Sequence, residues 1–240
     1  MRWNFKLLIF ICAVPAMVSC VGSRTTTDYE IIDGLYTSDI LGGKSQKVYI
    51  DNEPDELFVF PVRKYNGNYM IDTLNQSYLS FPQTRSYSAL ESELFRISGF
   101  DLDIVAIPFK YRFPTAGVPP QLNTNLNASV FVGYRTDYYR LRYNLNEINE
   151  YERKTNHYGL TFGVFSGFGS SLISPFVTSD QVTIEYDGVV WSNGIAVSVG
   201  IDYLNLGVAL GFDQLLDQNS KFWIYNRKPY LGLVLGINLN

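Results

Sequence analysis

The sequence predicts an all-β chain: an antiparallel up-and-down β-barrel of about eight strands crossing a membrane, preceded by a small β-rich extension. Three observations predict it. Segments of about ten residues alternate between large branched or aromatic side chains and Gly, Ala, Ser or Asn. Between Lys154 and Lys221 no Lys or Arg occurs, although the average of 19 in 240 would place about five there. Charged residues make up only 18%, against roughly 25% in an ordinary soluble domain, while the chain carries 18 Tyr, 16 Phe and 19 Gly.

The kind of alternation matters more than its presence. A soluble antiparallel sheet places Lys, Glu, Arg and Thr on its watered face. Here the second face is small and nearly uncharged, which suits a narrow closed barrel with large side chains in lipid and small ones in a crowded interior. No later stretch reaches the length of apolar sequence that a spanning helix requires.

The elements follow in order. Residues 1–19 are read as a signal peptide, with Arg2 and Lys6 ahead of the apolar run from Leu7 to Val18. The run ends Ala16-Met17-Val18-Ser19-Cys20, which resembles a bacterial lipobox and implies lipidation of Cys20. The only cysteines are Cys12 and Cys20, so no disulfide is expected in the mature chain. Residues 20–44 are read as a polar tether, and residues 45–100 as a β-rich periplasmic or plug region. Strand candidates there are 47–50, 57–60 and 69–71, with a turn at Asn66-Gly67-Asn68 and a capping box at Ser88-Ala89-Leu90-Glu91. A second reading adds two to four of these strands to the wall, for ten to twelve in all.

Residues 101–240 are the predicted barrel. Val105, Ile107, Phe109, Tyr111 and Phe113 face lipid opposite Lys110 and Arg112, with Pro108 removing one ladder donor inside that strand. Next, Leu126 to Tyr134 alternate against Asn127 to Arg135, and after a turn at 135–137 Tyr139, Leu141 and Tyr143 oppose Arg140 and Arg142. Strands at 158–168, a weaker one at 171–177, then 189–203, 205–213 and 230–239 complete eight. Short links at 135–137, 169–171 and 202–205 alternate with long ones at 114–124, 144–156, 178–188 and 214–228. Two aromatic girdles result: Phe113, Tyr143, Tyr158, Trp191 and Phe212 at the outer rim, Tyr134, Tyr139, Phe168 and Tyr203 at the inner.

These features resemble the small eight-stranded outer-membrane barrels of OmpA and OmpX type, over about 140 residues from Asp101 to Asn240, in architecture rather than by a diagnostic motif. The resemblance implies a bacterial outer membrane, both barrel ends facing the periplasm and long loops facing outside. It also implies membrane lipid and lipopolysaccharide as neighbours, with the extracellular loops open to a protein partner.

The candidate chemistry is sparse. Lys110, Arg112, Arg135, Arg140 and Arg142, with Asp202 and Asp213, form a predicted lumen charge cluster. In a narrow interior such groups pair as salt bridges, the alternative being a basic lining that selects small anions. His157, the only histidine, is expected to be exposed and non-catalytic at the outer end of its strand, a lipid-modifying enzyme being the alternative that would need it. Asp101 and Asp103 alone are too few for a cation site. Phe222, Trp223, Tyr225 and Arg227 compose either a loop contact surface or an interfacial belt. No phosphate loop, zinc spacing or dinucleotide glycine pattern occurs, so no catalytic residue, metal or cofactor is predicted. With 19 basic against 23 acidic residues no nucleic-acid footprint is present. The expected function is a non-enzymatic barrel with a structural or surface-interaction role, the alternative being a small pore.

Overall fold

The computed structural model describes residues 31–41, 44–53, 57–73, 79–81, 92–145, 147–148, 151–201 and 204–237. Their strands are β1 (Gly34–Ser38), β2 (Gln46–Asn52), β3 (Leu57–Tyr65), β4 (Asn68–Ile71), β5 (Leu79–Phe81), β6 (Ser92–Arg112), β7 (Gln121–Thr124), β8 (Asn127–Leu145), β9 (Tyr151–Ile173), β10 (Tyr186–Ile201), β11 (Leu204–Leu215) and β12 (Pro229–Ile237). Helix among the described residues is confined to short 3-10 turns at Pro175–Val177 and Gln218–Lys221.

The fold is all-β and antiparallel, in the order β12-β11-β10-β9-β8-β6-β1-β2-β3-β4, with β5 on β3 and β7 on β6. β12 also pairs with β6, so the path of ladders through β6, β8, β9, β10, β11 and β12 returns to its start. Arg96 pairs with Tyr138 of β8 and Thr37 of β1, and Val105 with Ser129 of β8 and Gly236 of β12. One edge of β6 therefore passes from β1 to β12 along its length, and β1–β3 attach below the ring instead of widening it.

The ring has six long strands, not eight. At 135–137 the ladder runs unbroken through Arg135↔Thr161, Thr136↔Leu160 and Asp137↔Gly159, and at 169–171 through the pairs with Val190, Val189 and Gly188. Polar residues in a strand do not turn the chain when both neighbours hold their backbone groups. The long links are then 113–126, 174–185 and 216–228 at one end, with the short links 146–150 and 202–203 at the other.

Losing two turns changes which way side chains point, because a strand keeps its period of two until something interrupts it. β8 keeps odd residues inward throughout, so Leu141 and Tyr143 are buried while Arg140 and Arg142 are exposed, the reverse of the expected orientation. In β6 a bulge does the opposite. Leu233 pairs with Phe109 but Leu235 with Ala106, so one extra β6 residue intervenes, and Pro108 lies in this irregularity, where no ladder donor is needed. Asp101, Asp103, Val105 and Ile107 face inward before it, and Lys110 and Arg112 after it.

The N-terminal strands were partly legible. β2, β3 and β4 cover the expected segments, and the β3–β4 turn at Asn66 and Gly67 has φ of 49° and 86°, the mirror-image turn that hairpins favour. β1, however, falls inside the expected tether, and β6 begins at Ser92, across the expected boundary at residue 100. Tyr36, Val48, Ile50, Leu57 and Val59 bury themselves against Phe95, Leu141 and Tyr143 from the lower ends of β6 and β8. β1 contributes the fully buried Tyr36 to this core, and the large surface that an aromatic ring buries is why β1 is a strand and not a tether. The signal peptide, Cys20 and the capping box lie outside the described residues.

Candidate functional site

The outer surface of the ring is its apolar side. Leu102, Ile104, Val130, Phe162, Val164, Ile195, Val197, Leu206, Val208 and Leu231 are all exposed, while Lys110, Ser129, Gly163, Ser192, Ala196, Ala209 and Asp213 of the same strands are buried. Phe113, Phe168, Trp191 and Phe212 stand at the end with long links, Trp191 directly across from Phe168. Tyr158 stands at the end with short links, beside Ile201. Phe168 and Tyr158 thus exchange rims relative to expectation, because β9 is one strand. Tyr143 leaves the girdle for the small core, and Tyr139 points inward onto His157; the Tyr203 side chain lies outside the described residues. From Tyr158 to Phe168 the strand rises about 34 Å, or about 25 Å along an axis to which it tilts by about 40°. Two hydrogen bonds link polar atoms within this belt: Trp191 Nε1 donates to Ser166 Oγ, which donates to Asn193 Oδ1.

Inside, the upper half of the ring holds an ion cluster. Lys110 Nζ donates to Asp213 Oδ1 at 2.7 Å, Ser192 Oγ at 2.9 Å and Asn127 Oδ1 at 3.1 Å. Arg112 donates to Asp213 Oδ2 at 2.5 Å and to Asn123 Oδ1 at 3.1 Å, and Ser192 Oγ also donates to Asp213. Lys110, Arg112 and Asp213 are 2%, 2% and 0% exposed, so all three are shut off from solvent. Two cations face one carboxylate, and aromatic faces take up the excess. Lys110 lies 4.5 Å from the Tyr230 ring, and Arg112 lies 4.9 Å from Trp223 and 5.3 Å from Tyr225.

Those aromatics belong to a cap. Trp223 and Tyr225 pack with Ile173, Val177, Val182, Val190 and Leu215, and Ile224 N donates to Val177 O at 3.1 Å, tying link 216–228 to link 174–185. The expected contact surface therefore divides: Trp223 and Tyr225 are buried, Phe222 is half-buried, and Arg227 is exposed at a φ of 58°. A run of aromatics beside Arg is also the composition of a lid over a buried cation, which is the signal sequence reasoning did not separate.

The lower interior holds a second cluster. Asp137 Oδ1 accepts from Arg135 Nε at 2.8 Å and pairs with His157 Nε2 at 2.7 Å. His157 is buried and stacks on Tyr139 at 4.6 Å, so it is neither exposed nor at the outer end. Burial, with the charge of Asp137, pushes the Tyr139 phenol up to about 12. Deeper in, Asp101 Oδ2 accepts from Thr161 Oγ1 and Asp103 Oδ2 from Asn205 Nδ2, both at 3.1 Å. Asp137 was missed because it fell in a supposed turn. Of the expected lumen cluster, Lys110, Arg112 and Asp213 come together, Arg135 joins the lower group, Arg140 and Arg142 face outward, and the Asp202 side chain lies outside the described residues. No group of three or more His, Cys, Asp or Glu suited to a metal occurs among the described residues.

The fold defines a class, an all-β antiparallel protein with an apolar exterior and a capped interior in which buried ions share the space with an apolar cluster of Val105, Ile107, Phe131, Phe165 and Val234. No protein-family model, curated protein or solved structure matches the chain. Nor is any helix of the described residues long and apolar enough to cross a membrane, which leaves crossing by strands unaddressed.

Proposed function

We propose that the chain is an outer-membrane β-barrel, carried to the cell envelope by its N-terminal signal and anchored also by lipid at Cys20, with a non-enzymatic structural or surface-interaction role. The observation that carries this reading is the inverted burial of the six-strand ring. Exposed aliphatic and aromatic residues surround it from Tyr158 to Phe168, a continuous apolar surface of the kind that water-soluble monomers rarely expose. The belt's height matches the apolar band of about 25 Å on such barrels. The long links 113–126, 174–185 and 216–228 face outside in this reading, and the links 146–150 and 202–203 face the periplasm. Paired ions and a cap across the lumen support a scaffold over a pore, since conduction needs a wetted path.

Electrophoresis in detergent with and without boiling tests the fold: a compact, faster band that shifts on heating is expected, and identical migration overturns the barrel. Planar-bilayer recording tests the closed interior, with discrete current steps the outcome that would replace a scaffold by a pore. Expression of His157→Ala should leave envelope lipid composition unchanged; an altered acyl pattern would revive a lipid-modifying enzyme.

A further inference from the structure

The outward face of the ring changes character abruptly just below the belt. Over 92–98 of β6, 136–142 of β8 and 154–158 of β9, the eleven outward positions hold four bases, Arg96, Arg140, Arg142 and Lys154, and no acid. All four are exposed, and none forms an ion pair among the described residues. Arg142 stands directly across the ladder from Lys154, and Arg140 lies one step up the same face. Like charges directly opposite destabilise a sheet, so this arrangement carries a cost that a bound anion removes.

The neighbours of the patch narrow the anion. Arg140 is paired with Leu94 and Asn156, Arg96 with Tyr138, and Tyr138 with Tyr158, at the row where the apolar belt begins. Beside Arg96 a pocket is lined by Thr37, Ser38, Asp39, Ser45, Leu94 and Tyr138, four of which carry hydroxyls. A base cluster beside a hydroxyl-lined pocket fits a phosphodiester, and the belt directly above it fits acyl chains. We infer that the face formed by Arg96, Arg140, Arg142 and Lys154 binds the headgroup of an anionic glycerophospholipid in the membrane leaflet on the side of the short links. This rests on the membrane reading above and goes beyond it, because barrel insertion alone requires no headgroup preference. Arginine serves here because its planar fork engages two phosphate oxygens at once.

The full chain, folded into vesicles of phosphatidylcholine with a minor share of phosphatidylglycerol and then extracted in mild detergent, provides the test. Native mass spectrometry counts the lipids it keeps. Wild type should retain phosphatidylglycerol in preference to phosphatidylcholine by about fivefold or more, the scale of one basic residue near an anionic surface. The variant Arg140→Gln/Arg142→Gln/Lys154→Gln should lose that preference while still shifting on heating. Should that variant not fold, Arg96→Gln alone should still lower the preference. Equal retention of both lipids by a heat-shifting wild type overturns the inference and leaves the barrel standing. So does displacement of phosphatidylglycerol by inorganic phosphate, which would make this a free-anion site. A wild type with no heat shift overturns both readings.

Discussion

The Arg135 guanidinium occupies the space that a side chain at residue 159 would need: a Cβ on Gly159 would lie 2.6 Å from Arg135 Nη2, and one on Gly200 3.2 Å from it. The two glycines are thus the floor on which Arg135 lies to reach Asp137, and through it His157. Gly159→Val should force Arg135 off this floor and cost about 1–3 kcal/mol, read as a lower urea midpoint in detergent. Gly99→Ala is the control, since nothing lies within 4 Å of its added Cβ. It should be neutral or slightly stabilising through the unfolded chain. Equal effects from the two would mean that Arg135 is not held where it lies.

Among the described residues Asp213 is the one carboxylate shared by Lys110 and Arg112, and it is fully buried. Asp213→Asn should therefore leave two buried cations short of charge and cost about 3–5 kcal/mol in the same unfolding measurement. Replacing all three together, as Lys110→Met/Arg112→Met/Asp213→Leu, should recover most of that loss, because an apolar core of similar volume substitutes for a buried ion group without desolvating charge. A triple variant as unstable as Asp213→Asn would show that the ions do more than fill the lumen.

The all-β class and the apolar exterior were legible in the sequence, because period-two alternation and the absence of bases over 155–220 depend on nothing but residue type. The strand count was not. Arg135-Thr136-Asp137 and Gly169-Ser170-Ser171 have turn composition, but their backbone groups are held by β9 and β10, and no local signal separates a paired Gly-Ser-Ser from a turning one. That error moved Arg140 and Arg142 from the outside to the lumen, and His157 from the short-link end to the long-link end. The β6 bulge was half visible: Pro108 announced a break in the ladder, but only the pairing of Leu233 and Leu235 shows that the break inserts a residue. The small core of Tyr36, Val48 and Phe95 was unreadable because its strands come from segments far apart in sequence.

Tyr139 lies below the belt, beside the edge of Tyr36 at 5.9 Å, and burial raises both phenols, Tyr139 to about 12. A raised folded-state value favours the neutral phenol, so this stabilisation is full below the ordinary tyrosine value near 10 and is lost as pH climbs through about 12. Stability should thus fall with a steeper slope over this alkaline window in wild type than in Tyr139→Phe. Absorbance of the phenolates should show Tyr139 ionising after the exposed tyrosines. Equal slopes in the two proteins would mean that Tyr139 is solvated.

Trp191 and Trp223 lie on opposite sides of the same wall. Trp191 is 40% exposed on the outer belt, and Trp223 is 3% exposed within the cap. In the proposed membrane orientation lipid, not water, lies against the first, and the packed cap residues surround the second. With Trp3 replaced by Phe, each remaining tryptophan can be watched alone by removing the other. In vesicles, brominated acyl chains should quench Trp191 strongly and aqueous acrylamide weakly, with Trp223 protected from both. Trp223→Ala should in addition cost about 3–5 kcal/mol, because it opens a cavity over Arg112. Strong acrylamide quenching of Trp191 would place the belt in water and remove the membrane reading, whereas strong quenching of Trp223 would mean that the cap is open and the loop presents its aromatics to a partner.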